Sequence, residues 1–168
     1  ELHVRQGDVV SAGQVLAKLQ DTKFRTAADE LQNQIDALEI KRHRLEAQMK
    51  GAFEFTVPDL LAQRSPGILA SERSLLTARQ TDFTSRRESA RQIMDQLNAE
   101  LANMETLHKQ KIVALIEVNK ARKSATDARA KYNEIGTQAE LEQAEEYSQT
   151  LRDLTTLRQE QRLAVDQL

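Results

Sequence analysis

The chain has 168 residues, 39% hydrophobic, 4% aromatic and 30% charged, with five Gly, two Pro and neither Cys nor Trp. Four Phe and two Tyr spread over that length are too few for a broad globular core, and the dominance of Ala, Leu, Glu, Lys, Arg and Gln predicts long helices that bury a narrow seam. Acidic and basic residues interleave to a net charge of -2, so no basic track exists for nucleic acid. The lack of Cys removes disulfides, zinc fingers and thiol nucleophiles, and no run of about 18 apolar residues is present to span a membrane.

Residues 1–20 read as a small β element. Val and Leu fall in short runs, Leu2 and Val4, Val9 and Val10, Val15 to Leu19, separated by Gly7-Asp8 and Ala12-Gly13, which supply turn chemistry. Two or three short strands need partners from elsewhere to make a stable sheet, so half a β module is expected here. With Glu1 at its start and Leu168 uncapped at its end, the chain reads as an excised fragment whose signal or anchor lies outside it.

From Asp21 the period becomes helical, with Asp21 or Thr22 as N-cap. Phe24, Ala28, Leu31, Ile35, Leu38, Arg42, Leu45 and Met49 alternate spacings of three and four, predicting a first helix over about 22–50. Arg42 interrupts the seam; its stem lies along it with the head reaching water, or its guanidinium meets an acidic partner and fixes register. Gly51 then stops the helix, and Phe53-Glu-Phe-Thr-Val-Pro58 is extended in character. A turn of helix at 59–63 precedes the breakers Ser65-Pro66-Gly67, so the break covers about 51–66.

The second helix is expected over about 67–109. Leu76, Phe83, Ala90, Leu97 and Met104 recur every seven residues, with Met94, Leu101 and His108 at the alternate positions. A tip at about 109–114 leads into a third helix over about 114–168, with Leu115, Val118, Ala125, Ala128, Tyr132, Ile135 and Ala139, then Tyr147, Leu151, Leu154, Val165 and Leu168 as its seam. The step from Ala139 to Tyr147 is one residue out of register, close to Gly136, and predicts a skip in the seam or a helix irregularity. At about 1.5 Å per residue the third helix is about 80 Å long and the first two together about 105 Å. Either the first two overlap across the break, making a locally three-stranded section, which is the reading favoured here, or one of them is shorter than its seam suggests.

Candidate chemistry is sparse. His3, His43 and His108 sit on different elements at no ligand spacing. Glu142, Glu145 and Glu146 form an acidic cluster that reads as an exposed helix face, with Arg152 nearby for local balance. Gly7 and Gly13 lack the Gly-Lys-Ser/Thr ending of a phosphate loop. No catalytic, cofactor or metal residue is assigned, and the chain is not read as an enzyme.

The order of these elements carries a resemblance. The phrase Val4-Arg-Gln-Gly7-Asp8-Val9-Val10-Ser-Ala-Gly13-Gln14-Val15-Leu16-Ala17-Lys-Leu19 resembles the first half of a biotinyl/lipoyl barrel-sandwich motif. No carrier-type Met-Lys or Asp-Lys-Ala follows it, which disfavours a swinging-arm carrier. A lipoyl half opened by a long helical hairpin resembles the periplasmic adaptor, or membrane fusion protein, family. The segment Phe53-Glu-Phe-Thr-Val-Pro58-Asp-Leu60-Leu61 followed by Ser71-Glu72-Arg73-Ser-Leu75-Leu76-Thr-Ala78-Arg79 is similar to the interrupted helix of the HlyD-type adaptors of type I secretion systems.

The resemblance implies a mainly α fold: a long antiparallel α-helical hairpin, or coiled coil, with an interrupted first arm giving three helices, plus half of a lipoyl β module. It implies a periplasmic adaptor, anchored to the inner membrane by a segment absent from this chain, that links an inner-membrane ABC transporter to a TolC-like outer-membrane channel for export of a secreted protein substrate. It further implies a homo-oligomer, trimer or hexamer, with no cofactor and no nucleic acid. Adaptors of this family dock the channel through Arg, Leu and Ser at spacings of four and seven. Matched on Leu107, the pattern here reads Asn103, Leu107 and Ala114 with Lys111 in the turn, so only the Leu is kept; Leu107 serves either in docking or as a seam residue closing the hairpin. The alternatives are an adaptor of a tripartite small-molecule efflux pump and a purely structural coiled-coil scaffold segment.

Overall fold

The structure, a computed structural model, describes residues 22–166. The expected β half-module at 1–20 and the N-cap candidate Asp21 lie outside what is described, while Thr22 is the first residue of the first helix. Four helices follow in order: α1 (Thr22–Met49), α2 (Asp59–Arg64), α3 (Pro66–Lys109) and α4 (Leu115–Val165). No helix among the described residues is long and apolar enough to cross a membrane.

α3 and α4 form a long antiparallel hairpin. Arg79 meets Glu146 at 2.7 Å, the Arg87 guanidinium lies 5.0 Å from the Tyr132 ring centroid, and Arg122 meets Glu105 at 2.9 Å. α1 packs on the other half of α4, also antiparallel: Gln161 donates to Gln32 at 2.7 Å, Arg158 pairs with Glu39, and the Tyr147 hydroxyl donates to Glu46 at 3.2 Å. α1 and α3 run parallel where both touch α4. Arg64 reaches back to Asp36 at 2.6 Å, Arg44 pairs with Glu72, and the Gln80 amide donates to the Gln48 carbonyl at 2.9 Å. The interrupted arm therefore overlaps itself, and the bundle is three helices thick between these contacts. Laid end to end, α1 and α3, about 42 and 66 Å long, would exceed the about 76 Å of α4, and the overlap absorbs the difference.

Residues 50–65 make the overlap possible. α1 ends in a Schellman motif: Gly51 takes φ +71°, its N–H bonds the Gln48 carbonyl at 3.0 Å, and the Ala52 N–H bonds the Ala47 carbonyl at 2.9 Å. Only a residue at ease in the left-handed region closes this turn without steric cost. The chain then doubles back as a strap. Phe55 and Leu61 drop from it into a core with Ile40, Ala47, Leu69 and Leu76, flanked by Ala52, Val57 and Ala62. Leu76 is fully buried, worth about 1.5–3 kcal/mol in area removed from water. Pro66 opens α3, where its missing N–H costs nothing.

Several positions differ from the sequence reading. Met49, Leu115, Leu151 and Val165 are exposed. In α1 the buried set is Ile35, Asp36, Ile40, Arg44, Leu45 and Ala47, wider than a single heptad stripe because α1 is covered by α4 on one side and by the strap and α3 on another. The skip near Gly136 does not break α4, which is one continuous helix. Its inward positions take two steps of four in succession at Ile135, Ala139 and Gln143, and again at Glu146, Thr150 and Leu154, each of which shifts the seam without ending the helix. Polar Gln143, Glu146 and Thr150 occupy the seam where α4 passes from α3 to α1, which is why an apolar pattern loses the thread there.

Candidate functional site

Two places concentrate side chains beyond what the seam requires: the three-helix junction and the hairpin tip. At the junction Arg44 is 1% exposed. Its Nε donates to Glu72 on α3, Nη1 to Gln48 Oε1 at 2.6 Å, and Nη2 to Glu146 Oε1 at 3.0 Å. Glu146 also accepts from Arg79 at 2.7 Å and lies 3.2 Å from Lys41 Nζ. Burial pushes the Glu146 carboxyl up, but the bond from Arg79 and the charges of Arg44 and Arg79, with Lys41, outweigh it and hold the group below the usual carboxylate range. The fork of a guanidinium suits this work, since one planar head can satisfy acceptors on two neighbouring helices.

From the sequence, Arg42 is a candidate for this role only as the alternative to a stem lying along the seam with its head in water. Arg42 is only half-buried and pairs within its own helix, to Glu39 at 2.8 Å and Glu46 at 2.6 Å. The interhelical arginine is Arg44, two residues on, because the second covering surface rotates the buried arc. Glu146 is likewise no bystander of an exposed acidic face, and Arg152 bonds Ser148 and Gln149 instead. Of the two strap aromatics, Phe55 is 8% exposed and Phe53 49%, so Phe55 alone fills the overlap.

At the tip, α3 ends in a second Schellman motif. The Lys111 N–H bonds the His108 carbonyl at 2.8 Å and the Ile112 N–H bonds the Leu107 carbonyl at 2.9 Å. Here the left-handed residue is Lys111, at φ +62°, where glycine is the usual occupant. His108 Nδ1 lies 2.9 Å from the Val113 carbonyl; a carbonyl only accepts, so Nδ1 carries the proton and ties the loop to the end of α3. Ala114 takes φ -74° and ψ 151° ahead of α4, and its carbonyl accepts the Glu117 N–H at 3.1 Å.

Leu107, Lys111 and Ala114 thus meet at one turn, whereas Asn103 sits one helical turn further down α3, exposed. Leu107 is half-buried. Ile112, Leu115 and Ile116 are 65%, 55% and 60% exposed; the sequence places Leu115 in the seam and assigns Ile112 and Ile116 no role. Their signal was legible: Ile112-Val-Ala-Leu-Ile116 is five apolar residues in succession, a run that no helical or seam period explains. Among the described residues no group of His, Asp and Glu converges to hold a metal ion.

Three likenesses to known proteins accompany this geometry. The family model described as "AprE, long alpha-helical hairpin" matches residues 24–115, more than half of the chain. The type I secretion system membrane fusion protein PrsE of Rhizobium meliloti (strain 1021) is 34% identical over 104 residues, 62% of this chain. That match spans 23% of PrsE, so the chain corresponds to about a quarter of that relative's length. The crystal structure of the soluble domain of LipC, a membrane fusion protein of a type I secretion system, superposes with a TM-score of 0.70 at 19% identity, covering all of this chain and 81% of that one. The family match runs from the first helix through the strap and α3 to the tip, the interrupted arm that sets this hairpin apart from a plain coiled coil, and the chain belongs to the AprE long α-helical hairpin family.

Proposed function

We propose that the chain is the hairpin portion of a type I secretion adaptor that stands in the periplasm and bridges an inner-membrane ABC transporter to a TolC-like outer-membrane channel, giving a secreted protein one passage across both membranes. The observation that carries this reading is the family match over the interrupted arm and tip, joined to the PrsE likeness. The role asks for a long spacer with a docking end, not for chemistry, and a rod about 76 Å long in its α4 arm meets that demand. On this reading the tip faces the channel, residues 1–20 form half of a lipoyl-type module, and several copies stand side by side around the transport path.

The test is genetic. Deleting the gene in its host should remove one or more proteins from the culture supernatant, and the full-length gene should restore them while a version lacking residues 50–115 should not. An unchanged supernatant together with lost tolerance to small toxic compounds would replace the reading by small-molecule efflux.

A further inference from the structure

The tip departs from the Arg, Leu and Ser pattern of the adaptors this chain resembles, and its exposed chemistry lies elsewhere on the turn. We infer that it docks through an aliphatic knob of Ile112, Leu115 and Ile116, flanked by the ammonium groups of Lys109 and Lys111, into an apolar groove with an acidic rim at the end of the outer-membrane channel. This deepens the adaptor reading and rests on it.

Three observations support the inference. First, the three aliphatic side chains do no work for the fold: the seam beside them is closed by Val118 and Ala121, both buried, while Ile112, Leu115 and Ile116 remain 65%, 55% and 60% exposed. Three adjacent aliphatics held in water at a loop mark an interaction surface.

Second, the charge beside the knob is positive and uncommitted. The ion pairs nearest the tip join Lys120 to Glu117 and Arg122 to Glu105. Lys109 and Lys111 are exposed and enter no ion pair among the described residues. Complementarity therefore calls for carboxylates around an apolar centre.

Third, the knob is fixed before it binds. Both Schellman bonds and the His108 to Val113 bond hold the loop, and Lys111 is kept in the left-handed region at φ +62°, where a non-glycine residue carries strain. A preformed turn suits a shaped groove, since little ordering entropy remains to be lost. A bilayer surface would ask instead for interfacial Trp or Tyr, and residues 109–116 contain no aromatic.

The test uses the full-length adaptor and the purified outer-membrane channel of the host's type I system, with binding followed by interferometry. The variant I112S/L115S/I116S should keep the wild-type helical content and weaken the dissociation constant about tenfold or more. K109Q/K111Q should weaken it too and remove most of its dependence on salt. If the triple-serine variant binds like wild type while deletion of residues 110–114 abolishes binding, the knob is overturned and the adaptor reading stands. If the deletion also binds, tip docking itself falls. If the triple-serine variant loses only its affinity for phosphatidylethanolamine vesicles containing phosphatidylglycerol, the knob is a lipid contact and the inference is overturned.

Discussion

Arg44 Nη2 and Glu146 Oε1 stand 3.0 Å apart across α1 and α4, joining residues 102 positions distant in the chain. The same guanidinium holds Glu72 on α3, so one buried side chain ties all three helices at the level where the arm overlaps. A polar layer inside an otherwise apolar seam fixes register at some cost in stability, and here the register it fixes is the extent of the overlap.

Replacing Arg44 by Met should therefore leave two carboxylates facing an apolar stem and destabilise the protein by about 3 kcal/mol, as for a broken buried pair. Arg44→Lys should fall between, because an ammonium lacks the fork that spans two helices. Urea unfolding would measure both, and a loss below about 1 kcal/mol for Arg44→Met would place the junction among ordinary surface ion pairs.

Acid should weaken the same junction. The Glu146 carboxyl titrates below its unfolded value, so its stabilisation is complete above about pH 5 and drains away as pH falls through about 4 and below. Glu146→Gln should be less stable than wild type at pH 7, and the gap in melting temperature should narrow progressively as the pH is lowered below about 4. A gap that stays constant across that range would show that the charge of Glu146 is not what matters.

The two strap aromatics should separate cleanly. Phe55→Ala empties part of the overlap core and should cost about 3 kcal/mol or more, whereas Phe53→Ala removes an exposed ring and should change stability by no more than about 0.5 kcal/mol. Chemical denaturation of both variants decides it, and equal losses would mean that Phe53 packs in solution as it does not here.

The two helix ends should respond with opposite sign. Gly51→Ala has open space for its new Cβ, yet its backbone sits at φ +71°, and the substitution should cost about 1 kcal/mol. Lys111→Gly relieves the same conformation at the tip and should stabilise by up to about 1 kcal/mol. Thermal melts of the pair would show whether the tip conformation is strained.

The hairpin and its interrupted arm were legible because heptad spacing and breakers act locally: Leu76, Phe83 and Ala90 declare one helix, and Gly51, Pro58 and Ser65-Pro66-Gly67 declare the break. Length then left two choices, an overlap or a shorter helix, and the overlap is what the fold adopts. What the pattern hid was the identity of the junction residues, since a third helix turns part of the outward face of α1 inward and makes Arg44, Gln80 and Glu146 seam residues despite their polarity. The tip residues Leu107, Lys111 and Ala114 were placed by likeness to a motif and do gather at the turn. Leu115 is exposed although the pattern assigns it to the seam, and Ile112 and Ile116 beside it escape notice, because an apolar residue in a helical sequence is read first as a contribution to the seam.

The overlap also divides the rod mechanically. Buried side chains crowd its three-helix half, from Ile35 to Gln80 and from Thr150 to Leu154, while the stretch between residues 84 and 138 buries only Ala90, Val118, Ala121 and Ala125. A thick, well-packed base carrying a thin, sparsely packed end deflects mostly beyond the joint. A sideways push on the tip is thus taken up by the slender half, and the base transmits its own orientation almost unchanged, as a hilt does for a flexible blade.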